Sequence, residues 1–154
     1  MRLLTTTILG GLLALPAMAQ DITTPAPPPA ASTAPEALPE VTGLSLEEVI
    51  SRQLAAFNAR DVDLAWRFAS PMIQGLFGNP RNFGVMVSQG YPMVWDNSAA
   101  RFVASREEAG RIYQQVMMQD TNGALHMLEY AMILTPQGWK IDGVSLLPAP
   151  DVGV

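Results

Sequence analysis

The chain has 154 residues, room for one ordinary domain, and its 49% hydrophobic and 15% charged residues support a packed core and exclude wholesale disorder. Its net charge is −5, and its eight Arg and one Lys are thinly spread, so no basic stripe forms and no nucleic-acid partner is expected. With no cysteine, disulfides, thiolate catalysis and thiolate metal sites are excluded.

Residues 1–19 read as an export signal. Arg2 gives a short positive start, Leu3 to Leu15 form an apolar stretch containing three threonines, Pro16 breaks any helix, and Ala17-Met18-Ala19 is the small-x-small pattern cleaved before Gln20. The apolar run falls short of the ~20 residues that span a bilayer. No cysteine follows it, so no lipid anchor is expected. The resulting expectation is a bacterial protein of the periplasm or the exterior, cleaved after Ala19, with no membrane span. Gln20 to Gly43 then carries Pro25, Pro27, Pro28, Pro29, Pro35 and Pro39 among Ala, Thr and Ser. That density opposes helix and ladder and favours an extended, proline-rich spacer without a fold of its own. One folded domain is expected over 44–150, with a tail at 151–154.

Ser45-Leu46-Glu47-Glu48 has the form of a capping box, with Leu44 and Val49 placed for a hydrophobic staple. Leu46, Val49, Ile50, Leu54 and Phe57 follow at helical spacing. Asn58-Ala59-Arg60 ends this helix and Asp61 caps a second, with Leu64, Ala65 and Phe68 inward and Trp66 and Arg67 pointing elsewhere. Ser70-Pro71 starts a third helix, cut short by Gly75 and Gly78. Asn79-Pro80 starts a fourth, with Phe83, Met86 and Val87 on one face and Gly90 as a left-handed closing residue. From Val94 the pattern becomes extended. Strands are expected over 101–105, 111–119, 124–134 and 139–147, with turns at Glu107-Glu108-Ala109-Gly110, Asn122-Gly123 and Thr135-Pro136-Gln137-Gly138. The fold class is therefore α+β, with N-terminal helices packed on an antiparallel meander.

If Asn122-Gly123 is a two-residue loop, Met118 faces Met127, Val116 faces Glu129 and Ile112 faces Ile133. Ile112, Gln114, Val116 and Met118 then share a face with Met127, Glu129, Ala131 and Ile133. Tyr113, Gln115 and Met117 share the other with His126, Leu128, Tyr130 and Met132. Both faces are more apolar than a half-solvated sheet needs, and helices can cover only one, so a homodimer through the sheet is expected.

Several ordered blocks carry a resemblance. Ala69-Ser70-Pro71, Leu76-Phe77-Gly78-Asn79-Pro80, Phe83, Gly90-Tyr91-Pro92, Gly138-Trp139-Lys140-Ile141-Asp142-Gly143-Val144 and Leu146-Leu147-Pro148 resemble a bacterial family, domain of unknown function 4864. The opening Gln53-Leu54-Ala55-Ala56-Phe57-Asn58-Ala59-Arg60-Asp61 looks like the start of cone-shaped domains similar to nuclear transport factor 2. The match covers roughly Leu44 to Pro150 and departs at Trp95-Asp96-Asn97-Ser98, where a proline or basic residue is expected. The resemblance implies a curved sheet closed by helices and brings no assigned activity.

Glu129 is the candidate catalytic carboxylate. Among Val116, Met127, Ala131 and Ile133 it would be desolvated and able to shuttle a proton, with Tyr113 or Tyr130 as helper. The competing reading pairs it with an arginine such as Arg101 or Arg111. His126, the only histidine, is expected opposite Gln119 at the loop end of the sheet, a place for a wet strand-end residue. It offers no ligand spacing, and no metal or cofactor is expected. Tyr91, Tyr113 and Tyr130 could bring hydroxyls to a pocket and Met86 could line it, although such residues more often fill a core. The favoured function is non-catalytic binding of a small apolar ligand or an envelope protein. An isomerase- or lyase-like enzyme using Glu129, and a structural envelope dimer, are the alternatives.

Overall fold

A computed structural model describes residues 43–148. The expected signal, the spacer up to residue 42 and the tail at 151–154 lie outside the described residues. Within them, five helices come first: α1 (Leu46–Asn58), α2 (Val62–Arg67), α3 (Pro71–Phe77), α4 (Pro80–Gly90) and α5 (Pro92–Trp95). Four strands follow: β1 (Asn97–Glu108), β2 (Arg111–Asp120), β3 (Leu125–Thr135) and β4 (Gly138–Leu147). They form one antiparallel sheet in the order β1-β2-β3-β4. The architecture is α+β, helices followed by an open meander.

The starts of α1 to α4 sit where oxygen-bearing side chains stand in the sequence. Ser45 and Glu48 close a reciprocal capping box, and Asp61, Ser70 and Asn79 each accept from the amide three residues on. Each cap satisfies an amide that the helix itself leaves unpaired. The end of α1 is a Schellman closure: Asp61 N–H donates to the Ala56 carbonyl and Arg60 N–H to Phe57, with Arg60 in the left-handed region at φ 61°. Arg60 also donates to the Trp95 carbonyl at 2.9 Å, pairs with Asp96 and lies over the Trp95 ring. The turn after α1 is thereby tied to the start of the sheet.

Several local expectations are corrected. Gly75 lies inside α3, and the left-handed residue that ends α3 is Gly78, at φ 74°. Gly90 is an ordinary last helical residue. The break comes from Pro92, which bars Tyr91 from helical geometry. Trp66 packs inward against Phe83, with ring centroids 5.4 Å apart. The extended region begins after an additional helix, α5, and β1 is twelve residues long. β1 is a charged, mostly exposed edge strand with little inward alternation, so its length left no signature in the hydrophobic pattern.

The largest correction concerns register. Met118 faces His126, Val116 faces Leu128 and Ile112 faces Met132, one residue away from the expected pairing. The loop has three residues. Gly123 N–H closes a turn on the Asp120 carbonyl, Asp120 N–H donates to the Ala124 carbonyl, and Gly123 takes φ 85°. This is a type I turn followed by a left-handed residue. Asp120 sets it, because its Oδ1 accepts from Asn122 N–H at 2.8 Å and Ala124 N–H at 3.0 Å.

The slip turns β3 over relative to the expected grouping. The helix-covered face of β2 and β3 carries Ile112, Gln114, Val116 and Met118 with His126, Leu128, Tyr130 and Met132. The open face carries Tyr113, Gln115 and Met117 with Met127, Glu129 and Ala131. The core lies between the covered face and the helices, where Phe57, Phe68, Ile50, Leu128 and Tyr130 are fully buried. A further tie joins the layers. Residues 68–70 pair with Ile141 on the β4 edge, Ser70 donates to Asp142 at 2.7 Å, and Arg111 pairs with Asp142 at 3.0 Å. Next to it, Lys140 Nζ donates to the Arg67 carbonyl at the end of α2. Burial, with a smaller contribution from Arg67, holds its amine below the ordinary lysine range. Among the described residues no helix is long and apolar enough to cross a membrane.

Candidate ligand cavity

The helical layer does not close completely over β4. A cavity of about 230 Å³ remains between α1, the α3–α4 pair and the β4 edge of the sheet. Phe57 and Gln53 reach it from α1, Phe83 and Met86 from α4, and Ile141 and Val144 from β4. Phe83 is the hub of its aromatic wall, with centroids 5.8 Å from Phe57 and 6.0 Å from Phe77. At the mouth stands Leu76 of α3, 69% exposed. The α3 helix buries none of its residues. Among the described residues, Tyr91 is the only ionisable one in the lining, and its hydroxyl donates to the Val144 carbonyl at 2.9 Å. Such a lining can hold an uncharged apolar molecule. A charged one would be buried without a counter-charge.

Of the residues singled out in the sequence, the structure brings Tyr91 and Met86 together in this cavity. Tyr130 is on the covered face but does not line it. Its hydroxyl is fully buried with no partner among the described residues, and burial pushes its phenol far above the ordinary range. Tyr113 lies on the open face beneath Arg106, whose guanidinium carbon is 4.1 Å from the ring centroid.

Glu129 does not occupy the place expected of it. The register shift puts it on the open face, opposite Gln115 and Ser145, and its Oε1 accepts from Arg106 at 3.0 Å. The enzyme reading needed this carboxylate inside a pocket and free of arginine, and neither condition is met. The competing reading, pairing with an arginine, is what the structure shows, with Arg106 as the partner in place of the examples Arg101 and Arg111. Arg106 also pairs with Glu108, and these two carboxylates raise its pKa.

His126 faces Met118, where Gln119 was expected. Its Nε2 lies 3.0 Å from Asp120 Oδ2, in a separate hollow of about 220 Å³ shared with Asp96. His126 first, then the Ala124 and Asn122 amides, hold the Asp120 carboxyl below the usual aspartate range. Both oxygens of Asp120 are thus engaged in shaping the hairpin.

Gln53 is the cavity residue that sequence reading passed over. It is only 3% exposed and donates from Nε2 to the Ala65 carbonyl at 3.1 Å. The available signal was its position: it interrupts the apolar stripe between Ile50 and Phe57, where an unpaired amide would be costly.

Residues 40–154 match the family model described as Domain of unknown function (DUF4864). The chain belongs to this family. Neither curated proteins nor solved structures yield a match, so the DUF4864 assignment brings no activity with it. The chemistry of this DUF4864 domain has to be read from its own cavity.

Proposed function

We propose that this is an exported bacterial domain of the nuclear transport factor 2-like cone type that binds a small, uncharged, apolar ligand without catalysis. The observation that supports the ligand reading is the apolar cavity of about 230 Å³ whose only ionisable lining residue among those described, Tyr91, spends its proton on a backbone carbonyl. An apolar cavity of about 150 Å³ takes up benzene, so this one has room for a substituted single ring. Helices preceding a four-stranded meander, with bulges in β1 and β4 that bend a sheet, support the cone. The Arg2-to-Ala19 leader and the proline-rich stretch after it support export to the periplasm or beyond.

Titrating the ¹⁵N-labelled full chain with toluene tests the reading. Shifts should cluster on α1, α4 and β4, saturate, and disappear in Val144→Trp, which fills the space. Absence of saturable shifts, or shifts scattered over the surface, would sink it.

A second reading rests on the open face. Tyr113, Met117, Met127 and Ile133 are only half-buried there, with none of the described helices above them, as for a face that meets an envelope protein or a second copy of the chain. Sedimentation across a concentration series separates the cases: a concentration-independent monomer mass rules out the homodimer.

A further inference from the structure

We infer that the cavity selects a ligand bearing a hydroxyl group, which donates its hydrogen bond to Oε1 of Gln53. This rests on the ligand-binding reading above and narrows it to a chemical class: uncharged molecules of about one ring, such as phenols and cyclic alcohols.

The orientation of Gln53 follows from its neighbour. A backbone carbonyl can only accept, so the group facing the Ala65 oxygen at 3.1 Å is the amide nitrogen, and the carboxamide oxygen is turned to the other side. That oxygen accepts from no group among the described residues. It is also not sealed in, because the Tyr130 hydroxyl is the sole side-chain polar atom among them that is both unpartnered and fully enclosed. Gln53 is nonetheless 97% buried, and the open space it lines is the cavity. We therefore assign the residual surface of Oε1 to the wall of the cavity that Gln53 lines. Tyr91 adds a second acceptor, since its single proton is committed to Val144 and its oxygen retains lone-pair capacity.

A wholly apolar occupant would exclude water from these oxygens and leave the Gln53 acceptor unpaired. The loss falls on the protein side of the complex. A hydroxyl on the occupant removes that loss. An ammonium would add an uncompensated charge, and a carboxylate would bring its own acceptors against those of the wall.

The test compares 4-methylphenol with 1,4-dimethylbenzene, which differ by a hydroxyl in place of a methyl, in the full chain and in Gln53→Met. The expected result is that the phenol-to-xylene affinity ratio falls about three- to tenfold in the variant, the range of one neutral hydrogen bond. Binding of both probes with the same ratio in both proteins overturns the hydroxyl inference and leaves the cavity reading standing. Failure of both to bind the wild-type chain overturns the two together. If Gln53→Met does not fold, the Gln53 side-chain amide resonances in the wild-type protein decide. A shift with the phenol and none with the xylene supports the inference, and equal or absent shifts defeat it.

Discussion

The two faces of the sheet are cut from the same strands yet solve different problems. On the covered face, Val116, Met118, Leu128 and Met132 meet the helices and are fully buried. On the open face, the positions between them hold Met117, Met127 and Glu129 at intermediate exposure, and a carboxylate sits mid-strand with Arg106 as its partner. The difference lies in solvent rather than composition, since both faces are rich in methionine. A carboxylate on the covered face would need a buried counter-charge, whereas on the open one a half-exposed arginine suffices.

The largest expected effect comes from adjacent residues on opposite faces. Leu128→Ala should destabilise the domain by about 2–5 kcal/mol, because it leaves a cavity among side chains that cannot collapse onto it. Met127→Ala, one residue away, should cost less than about 1 kcal/mol. Urea unfolding of the two variants measures the contrast. Equal costs would mean that the open face is covered in solution, as a sheet-mediated dimer requires.

Two tyrosine hydroxyls sharpen the comparison on the helix side of the sheet. Tyr130→Phe removes an oxygen that has been desolvated without a partner, so stability should rise by about 1–2 kcal/mol. Tyr91→Phe removes a made hydrogen bond to Val144 and should lower it by about 1 kcal/mol. Opposite signs in thermal unfolding are the expected outcome. A loss at Tyr130 would show that its hydroxyl has a partner, such as an enclosed water.

Legibility divided along similar lines. Four of the five helix starts were readable because each depends on a side chain and the three residues after it: Ser45, Asp61, Ser70 and Asn79 carry the instruction locally. The strand pairing was not, because Asn122-Gly123 fits both a two-residue loop and the end of a three-residue one. The deciding residue was Asp120, whose carboxylate gathers the loop amides. One residue of slip sufficed to move Glu129 from the interior to the open face. Of the four proposed binding residues, Tyr91 and Met86 meet at the cavity, whereas the faces of Tyr113 and Tyr130 depended on the register. Gln53 was legible in principle, as a polar interruption of an apolar stripe.

Asp120 also carries a pH dependence at the loop end of the covered face. Its folded pKa lies below that of the unfolded chain. Its contribution is therefore present above about pH 4 and lost as the pH falls through its lowered value. Thermal midpoints measured from pH 6 to pH 2 should fall more steeply for the wild-type chain than for Asp120→Asn, which has no charge to lose. Parallel curves would mean that the hairpin is held by the Asp120 backbone contacts alone.

The smallest effect is expected at Glu129 itself, and its size tests what the open face is. The Glu129 side chain is 13% exposed and its Arg106 partner 48%, so solvent screens the pair and Glu129→Gln should cost less than about 1 kcal/mol. The cost should shrink further when salt is raised from 0.1 M to 1 M, as the screening length drops from about 10 Å to about 3 Å. A desolvated pair behaves otherwise: losing one partner strands the other charge, at about 3–5 kcal/mol, with little response to salt. A large, salt-insensitive loss in Glu129→Gln, accompanied by a fall in sedimenting mass, would place Arg106 and Glu129 inside an interface. A small, screened one leaves the open face to water and the function to the cavity behind the other.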